Sequence, residues 1–153
     1  MAQLPVEILL VEDNSDDIEL ALHDLRRGGL ANRVEIVRDG EQALDFLFCR
    51  GLYRHRSLAQ PPRVVLLDLK LPKADGLQVL KELKSNPVTR PIPVVILTAS
   101  REEQDLVRSY QLGVNSYIQK PVDFEQFRRT VKELGMFWLV INQPPPQAAF
   151  QVG

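Results

Sequence analysis

The stretch Arg63-Val-Val-Leu-Leu-Asp68-Leu-Lys70-Leu-Pro72 decides the fold. Four apolar residues in a row, two of them β-branched, predict a short strand buried on both faces. An aspartate stands at its carboxyl end, and Pro72, with Asp75 and Gly76 behind it, stops the strand and turns the chain. A carboxylate at the end of a buried parallel strand lies where α/β sheets bind ligands.

Working outward, the same unit recurs. Val6-Glu-Ile-Leu-Leu-Val11 predicts strand one, ending in Glu12-Asp13, with Asn14 or Ser15 as helix cap and Asp16 and Asp17 in the first helical turn. Ile18, Ala21, Leu22 and Leu25 follow helical spacing up to Gly28-Gly29, where the helix stops. Val34 to Val37 predicts strand two, and Ala43, Leu44 and Leu47 give helix two an apolar face. Leu77, Leu80 and Leu83 mark helix three, ended by Pro87. Val94 to Leu97 is strand four, closed by Thr98-Ala-Ser100; Leu106, Val107 and Tyr110 mark helix four, with Gly113 as its C′ residue. Ser116 to Gln119 is strand five, closed by Lys120-Pro121. Asp123 and Gln126 form a capping box, and Phe124, Phe127, Val131, Leu134 and Trp138 give helix five a 3-4-3-4 stripe.

Five strands alternating with five helices imply a doubly wound parallel sheet in three α/β/α layers. Right-handed crossovers leave few topologies, and the order 2-1-3-4-5 sets strands one and three side by side. Each of four strands then delivers polar groups to one edge: Glu12 and Asp13, Asp68, Thr98, and Lys120. Three carboxylates brought together repel one another unless a cation is bound. Oxygen ligands on an open edge suit Mg²⁺, lysine supplies a point charge for a phosphate, and threonine supplies a hydroxyl donor.

Bulk properties narrow the function. The chain has 153 residues, one domain's worth, and a net charge of −1 gives no general attraction to nucleic acid or anionic membrane. Cys49 is the only cysteine, so no intramolecular disulfide can form. Met1-Ala-Gln-Leu-Pro-Val-Glu7 lacks the basic and apolar parts of a signal peptide, and no apolar run reaches the ~20 residues of a membrane span. The expectation is a cytoplasmic protein with no membrane partner. His23, His55 and Cys49 lack metal-ligand or catalytic spacing and read as ordinary residues. Residues 49–63 form a long basic loop, a solvated connector or a partner surface. The tail at 142–153, with Pro144-Pro-Pro146, predicts disorder.

The pieces Leu10-Val-Glu12-Asp13-Asn14, Leu66-Leu-Asp68-Leu-Lys-Leu-Pro72, Asp75-Gly76, Leu97-Thr98-Ala99 and Tyr117-Ile-Gln-Lys120-Pro121 resemble the receiver domain of two-component response regulators, in that family's order and spacing. The resemblance implies a flavodoxin-like fold over residues 5–141, with Asp68 phosphorylated by a histidine kinase. It implies Mg²⁺ held by Asp13, Asp68 and the backbone carbonyl of Lys70, with Glu12 acting through water. Thr98 and Tyr117 become the switch pair, and Lys120-Pro121 a cis peptide. The protein would be a phosphoryl acceptor, not an enzyme beyond slow self-dephosphorylation.

Leu52-Tyr53, Arg108-Ser-Tyr-Gln-Leu112 and Phe137-Trp-Leu139 resemble the small standalone regulators that partner phytochrome kinases. That resemblance implies output by protein contact, without DNA binding. The apolar run Phe137, Trp138, Leu139, Val140 and Ile141 exceeds what one helical face buries, which predicts a homodimer through helix four, strand five, helix five and this run. Lys70 stands where many relatives carry asparagine or a small residue; it reads either as a solvent-facing loop lysine or as an ammonium near the phosphoryl group that alters dephosphorylation. Three other readings compete. A haloacid-dehalogenase-type phosphatase needs an Asp where Lys70 stands. A nucleotide- or flavin-binding module needs a Gly/Ser/Thr-rich loop where Glu12-Asp13-Asn14-Ser-Asp-Asp17 stands. The last is a receiver-like interaction domain that works without phosphorylation.

Overall fold

Short apolar runs, each punctuated by a capping residue, build the sheet. The computed structural model describes residues 7–30, 32–71 and 75–135. Five strands, β1 (Ile8–Val11), β2 (Val34–Val37), β3 (Val64–Asp68), β4 (Val94–Thr98) and β5 (Ser116–Gln119), alternate with α1 (Ser15–Arg27), α2 (Gly40–Leu47), α3 (Gly76–Ser85), α4 (Arg101–Ser109) and α5 (Phe124–Glu133). All neighbours pair in parallel in the order β2-β1-β3-β4-β5, as the alternation predicts.

Every helix begins on a side-chain cap: Asn14, Asp39, Asp75, Ser100 and Asp123 each accept the backbone N–H three residues on. At Asp123 the return bond of a capping box takes another form. Gln126 Nε2 donates to Asp123 Oδ2 at 3.0 Å and to the Pro121 carbonyl at 3.1 Å.

Period-2 alternation divides the buried strands between two cores. Leu9, Val11, Val65, Leu67, Val94 and Ile96 pack with Ala43, Leu44, Val79, Leu80, Leu83 and Val107 from α2, α3 and α4. Ile8, Leu10, Val64, Leu66, Val95, Leu97 and Ile118 pack with Ala21, Leu25, Phe127 and Val131 from α1 and α5. Within the second of these layers, Asp24 Oδ2 on α1 accepts the Phe124 N–H and so ties α1 to the start of α5.

Helix α4 departs from expectation. Only Val107 of its three predicted apolar residues is buried; Leu106 is 52% exposed and Tyr110 46%. Successive helical residues differ by about 100° in direction, so a nine-residue helix seated on Val107 turns Leu106 outward. The helix also ends earlier, with Tyr110 as C-cap and Gln111 at φ 51°, so Gln111 takes the left-handed position assigned to Gly113. The 49–63 loop contains a 3₁₀ turn at Gly51–Tyr53, pinned by Arg56, whose guanidinium stacks 3.6 Å from the Phe46 ring centre and donates to the Phe46 carbonyl. Val6, Pro72, the 137–141 run with Trp138, and the 142–153 tail lie outside the described residues.

Candidate functional site: the carboxyl edge of the sheet

Register places the edge. Val11 is level with Leu67, Asp68 with Leu97, and Thr98 with Gln119. The residues that close β1, β3, β4 and β5 therefore arrive at one height. Glu12, Asp13 and Asp68 offer carboxylate oxygens that all lie within 4.8 Å of one another. Glu12 and Asp68 are buried, whereas Asp13 is exposed. Acids that close together need positive charge, and the chain supplies it. Lys120 Nζ sits 3.0 Å from Glu12 Oε1, 3.2 Å from Asp68 Oδ2 and 2.9 Å from Asp17 Oδ2.

Asp17 is the member that sequence reasoning missed. It was assigned to the helix dipole as a first-turn acid. That role is compatible with its position three residues past the Asn14 cap, but its side chain also reaches across to β5. The only signal was its place in an acidic run beginning at Glu12.

The protonation behaviour follows from burial. Desolvation pushes the Glu12 carboxyl up to about 7 and outweighs the Lys120 hydrogen bond that pulls it down; the Asp68 carboxylate raises it further. Burial works against the Lys120 ammonium, but Asp17, Glu12 and Asp68 together hold it above the ordinary lysine range. Below about pH 7 Glu12 carries a proton, and above it the Glu12 carboxylate faces the ammonium.

Thr98 is 1% exposed, and its Oγ1 has no hydrogen-bond partner among the described residues. A buried hydroxyl without a partner costs about 1–3 kcal/mol, a cost that an incoming acceptor would remove. Tyr117 is on the same side of the sheet, packed against the core that α4 covers, with the Arg108 guanidinium 4.7 Å from its ring centre. The Lys120-Pro121 peptide is cis, as the resemblance implied. Lys70 fits the first of its two readings, an exposed loop lysine, with its side chain 78% exposed. Its backbone N–H donates to Asp68 Oδ1 at 3.3 Å, but its ammonium pairs with Glu103 Oε2 on α4 at 3.1 Å. The cation at Asp68 is Lys120. The reason is geometric: β3 ends at Asp68, so Lys70 leaves the sheet in a loop that faces α4.

An acidic edge with one central lysine, at the switch point of a 2-1-3-4-5 sheet, defines an α/β domain built to handle a phosphoryl group. Residues 8–132 match the response regulator receiver domain, and the chain belongs to that family. It is 46% identical, over 96% of its length and 92% of the relative's, to a probable methanogenesis regulatory protein, FilR2, of Methanothrix harundinacea. It is 41% identical to the response regulator Rcp1 of Synechocystis sp., covering 88% of this chain and 90% of that one. The solved Mn(2+)-bound form of Rcp1 superposes with a TM-score of 0.69, covering 92% of this chain and 99% of that one at 40% identity. The bacteriophytochrome response regulator AtBRR superposes with a TM-score of 0.83 at 54% identity, covering 92% of this chain and all of that one. The protein is thus a phosphorylation-based signalling domain that resembles phytochrome response regulators, and its acidic cluster is consistent with a divalent cation. Among the described residues no helix is long and apolar enough to cross a membrane.

Proposed function

We propose that residues 5–141 form a receiver that takes a phosphoryl group on Asp68 from a histidine kinase. The observation that carries this is the buried Asp68 carboxylate at the end of β3, 3.2 Å from a lysine that two further acids hold in place. An Asp68 carboxylate oxygen attacks phosphorus, the P–N bond to the donor imidazole breaks, and the imidazole leaves with the bonding pair. Lys120 pairs with the phosphoryl oxygens as negative charge gathers at the edge. The Thr98 hydroxyl then gains an acceptor, and Tyr117 occupies the space that Thr98 vacates.

The donor set fits Mg²⁺: oxygen ligands only, on an open edge, where Lys120 already balances the acids. Asp13, Asp68 and the Lys70 carbonyl would hold the ion, with Glu12 acting through water. When bound, it neutralises charge between the acceptor carboxylate and the phosphoryl oxygens. Because Glu12 holds a proton below about pH 7, apparent Mg²⁺ affinity should fall as pH drops from 8 to 6, approaching about tenfold per unit at the acid end. Without metal the sign is also set. The folded state holds a proton that the unfolded chain releases near 4.5, so this group's contribution to stability declines as pH rises from 4.5 to about 7. A Mg²⁺ titration giving one dissociation constant from pH 6 to 8 would remove Glu12 from the site.

We further infer output by protein contact, without DNA binding, in the cytoplasm and through a homodimer over α4, β5, α5 and residues 137–141; the match to 90% of the length of Rcp1 and all of AtBRR supports a regulator of single-receiver size. The likeness to AtBRR supports a phytochrome kinase as the input. The phosphoryl acceptor is tested by intact mass after incubation with Mg²⁺ and acetyl phosphate. A gain of one phosphoryl group (~80 Da), mapping to Asp68 and lost on chelation, is expected. No gain would leave an interaction domain that works without phosphorylation, and a gain on another residue would overturn Asp68 as the acceptor.

A further inference from the structure

Two loops beside the acceptor are joined by one carboxylate. Glu103, in the first turn of α4, uses Oε2 for the Lys70 ammonium at 3.1 Å and Oε1 for the Ala99 N–H at 2.8 Å. Lys70 belongs to the loop after β3, and Ala99 directly follows Thr98. The Glu103 side chain is 14% exposed, whereas that of Lys70 is 78% exposed, so the acid is the fixed member and the lysine the movable one. Burial alone would raise the Glu103 carboxyl; the Ala99 N–H and the Lys70 ammonium outweigh it and leave it lowered, so it is ionised at neutral pH.

The Lys70 backbone is already bonded to Asp68 Oδ1. Its ammonium rides on a flexible four-carbon stem from a residue two positions past the acceptor. Without Glu103, the stem is free to turn toward the edge, where Glu12, Asp13 and Asp68 gather their carboxylates within 4.8 Å of one another. The geometry points to Glu103 as a positioning residue that withholds the Lys70 ammonium from Asp68, so that its charge sets how strongly the edge attracts an anionic phosphodonor. The inference rests on Asp68 being the acceptor.

The role differs from a loop cap in a way that can be measured. Glu103→Gln keeps an oxygen for the Ala99 N–H but loses the charge that holds Lys70. Phosphorylation rates should be compared for wild type, Glu103→Gln, Lys70→Met and the double variant. The donors are acetyl phosphate, a dianion, and phosphoramidate, which carries less charge. Glu103→Gln should speed the acetyl phosphate reaction by on the order of tenfold at low salt, the lower end of electrostatic steering. The gain should be smaller with phosphoramidate, should shrink as salt is added, and should vanish in the Lys70→Met background. An unchanged rate, or the same gain without Lys70, overturns the inference. If wild type accepts a phosphoryl group from neither donor, the acceptor reading itself has failed, and the role of Glu103 falls with it.

Discussion

Lys120→Met should slow phosphoryl uptake from acetyl phosphate by about 10²–10³-fold, the cost of removing one preorganised positive donor from a site where negative charge develops. The size follows from the geometry. The Lys120 ammonium is the cation shared by Glu12, Asp17 and Asp68, at 3.0, 2.9 and 3.2 Å. Methionine keeps the stem and loses the charge. Without the ammonium, an anionic donor meets acids that no other described side chain is ion-paired with, and the phosphoryl oxygens lose their partner. The fold should survive, because Glu12 can take up a proton, as its upward-shifted carboxyl already tends to do. Mg²⁺ affinity should hold or rise, since a competing cation is gone. The two readouts move in opposite directions, which separates this role from general damage to the edge. Uptake within threefold of wild type would mean that Lys120 only neutralises the acids in the resting protein.

Lys120 was legible in the sequence because of how this edge is made. The apolar runs of β1, β3 and β4, alternating with helical patterns, read as buried strands of a parallel sheet, and parallel register brings their polar terminators to one height. Glu12, Asp13, Asp68 and Thr98 follow from that rule; Lys120 follows from the position of β5, a short and only partly buried strand, as the last in the alternation. What it cannot show is where long side chains go once they leave the sheet. Asp17 was assigned to a helix end, yet it is the acid nearest to Lys120. Lys70 reads from the sequence as either a solvent-facing lysine or one near the phosphoryl site, and Glu103, thirty-three positions further along the chain, holds it away from that site. The sequence names both residues of that pair without giving the distance between them. Helix α4 fails for another reason. Spacing finds an apolar stripe, but a helix this short rests on one buried residue, Val107, and leaves Leu106 and Tyr110 exposed.

Gly76→Ala tests whether the start of α3 is built for propensity or for space, because the two predict opposite signs. Gly76 is the first residue of α3, directly after the Asp75 cap. Alanine is the better helix former, worth up to ~1 kcal/mol, so propensity alone makes the variant more stable. Space says otherwise. A Cβ at Gly76 would lie 2.3 Å from the Asp68 carbonyl oxygen, 2.7 Å from the Leu69 carbonyl oxygen and 2.8 Å from Leu69 Cα. All three are backbone atoms, and the Gly76 N–H already donates to the Leu69 carbonyl at 3.0 Å. No rotamer change relieves the clash; the end of β3 or the start of α3 has to move. The expected cost is at or above ~3 kcal/mol, the upper end of overpacking, read from urea denaturation. The same shift carries Asp68 away from Lys120, so phosphoryl uptake should fall even where the variant is still folded. A stabilised or neutral Gly76→Ala would show that this turn relaxes freely, and that the acceptor's position does not depend on the glycine behind it.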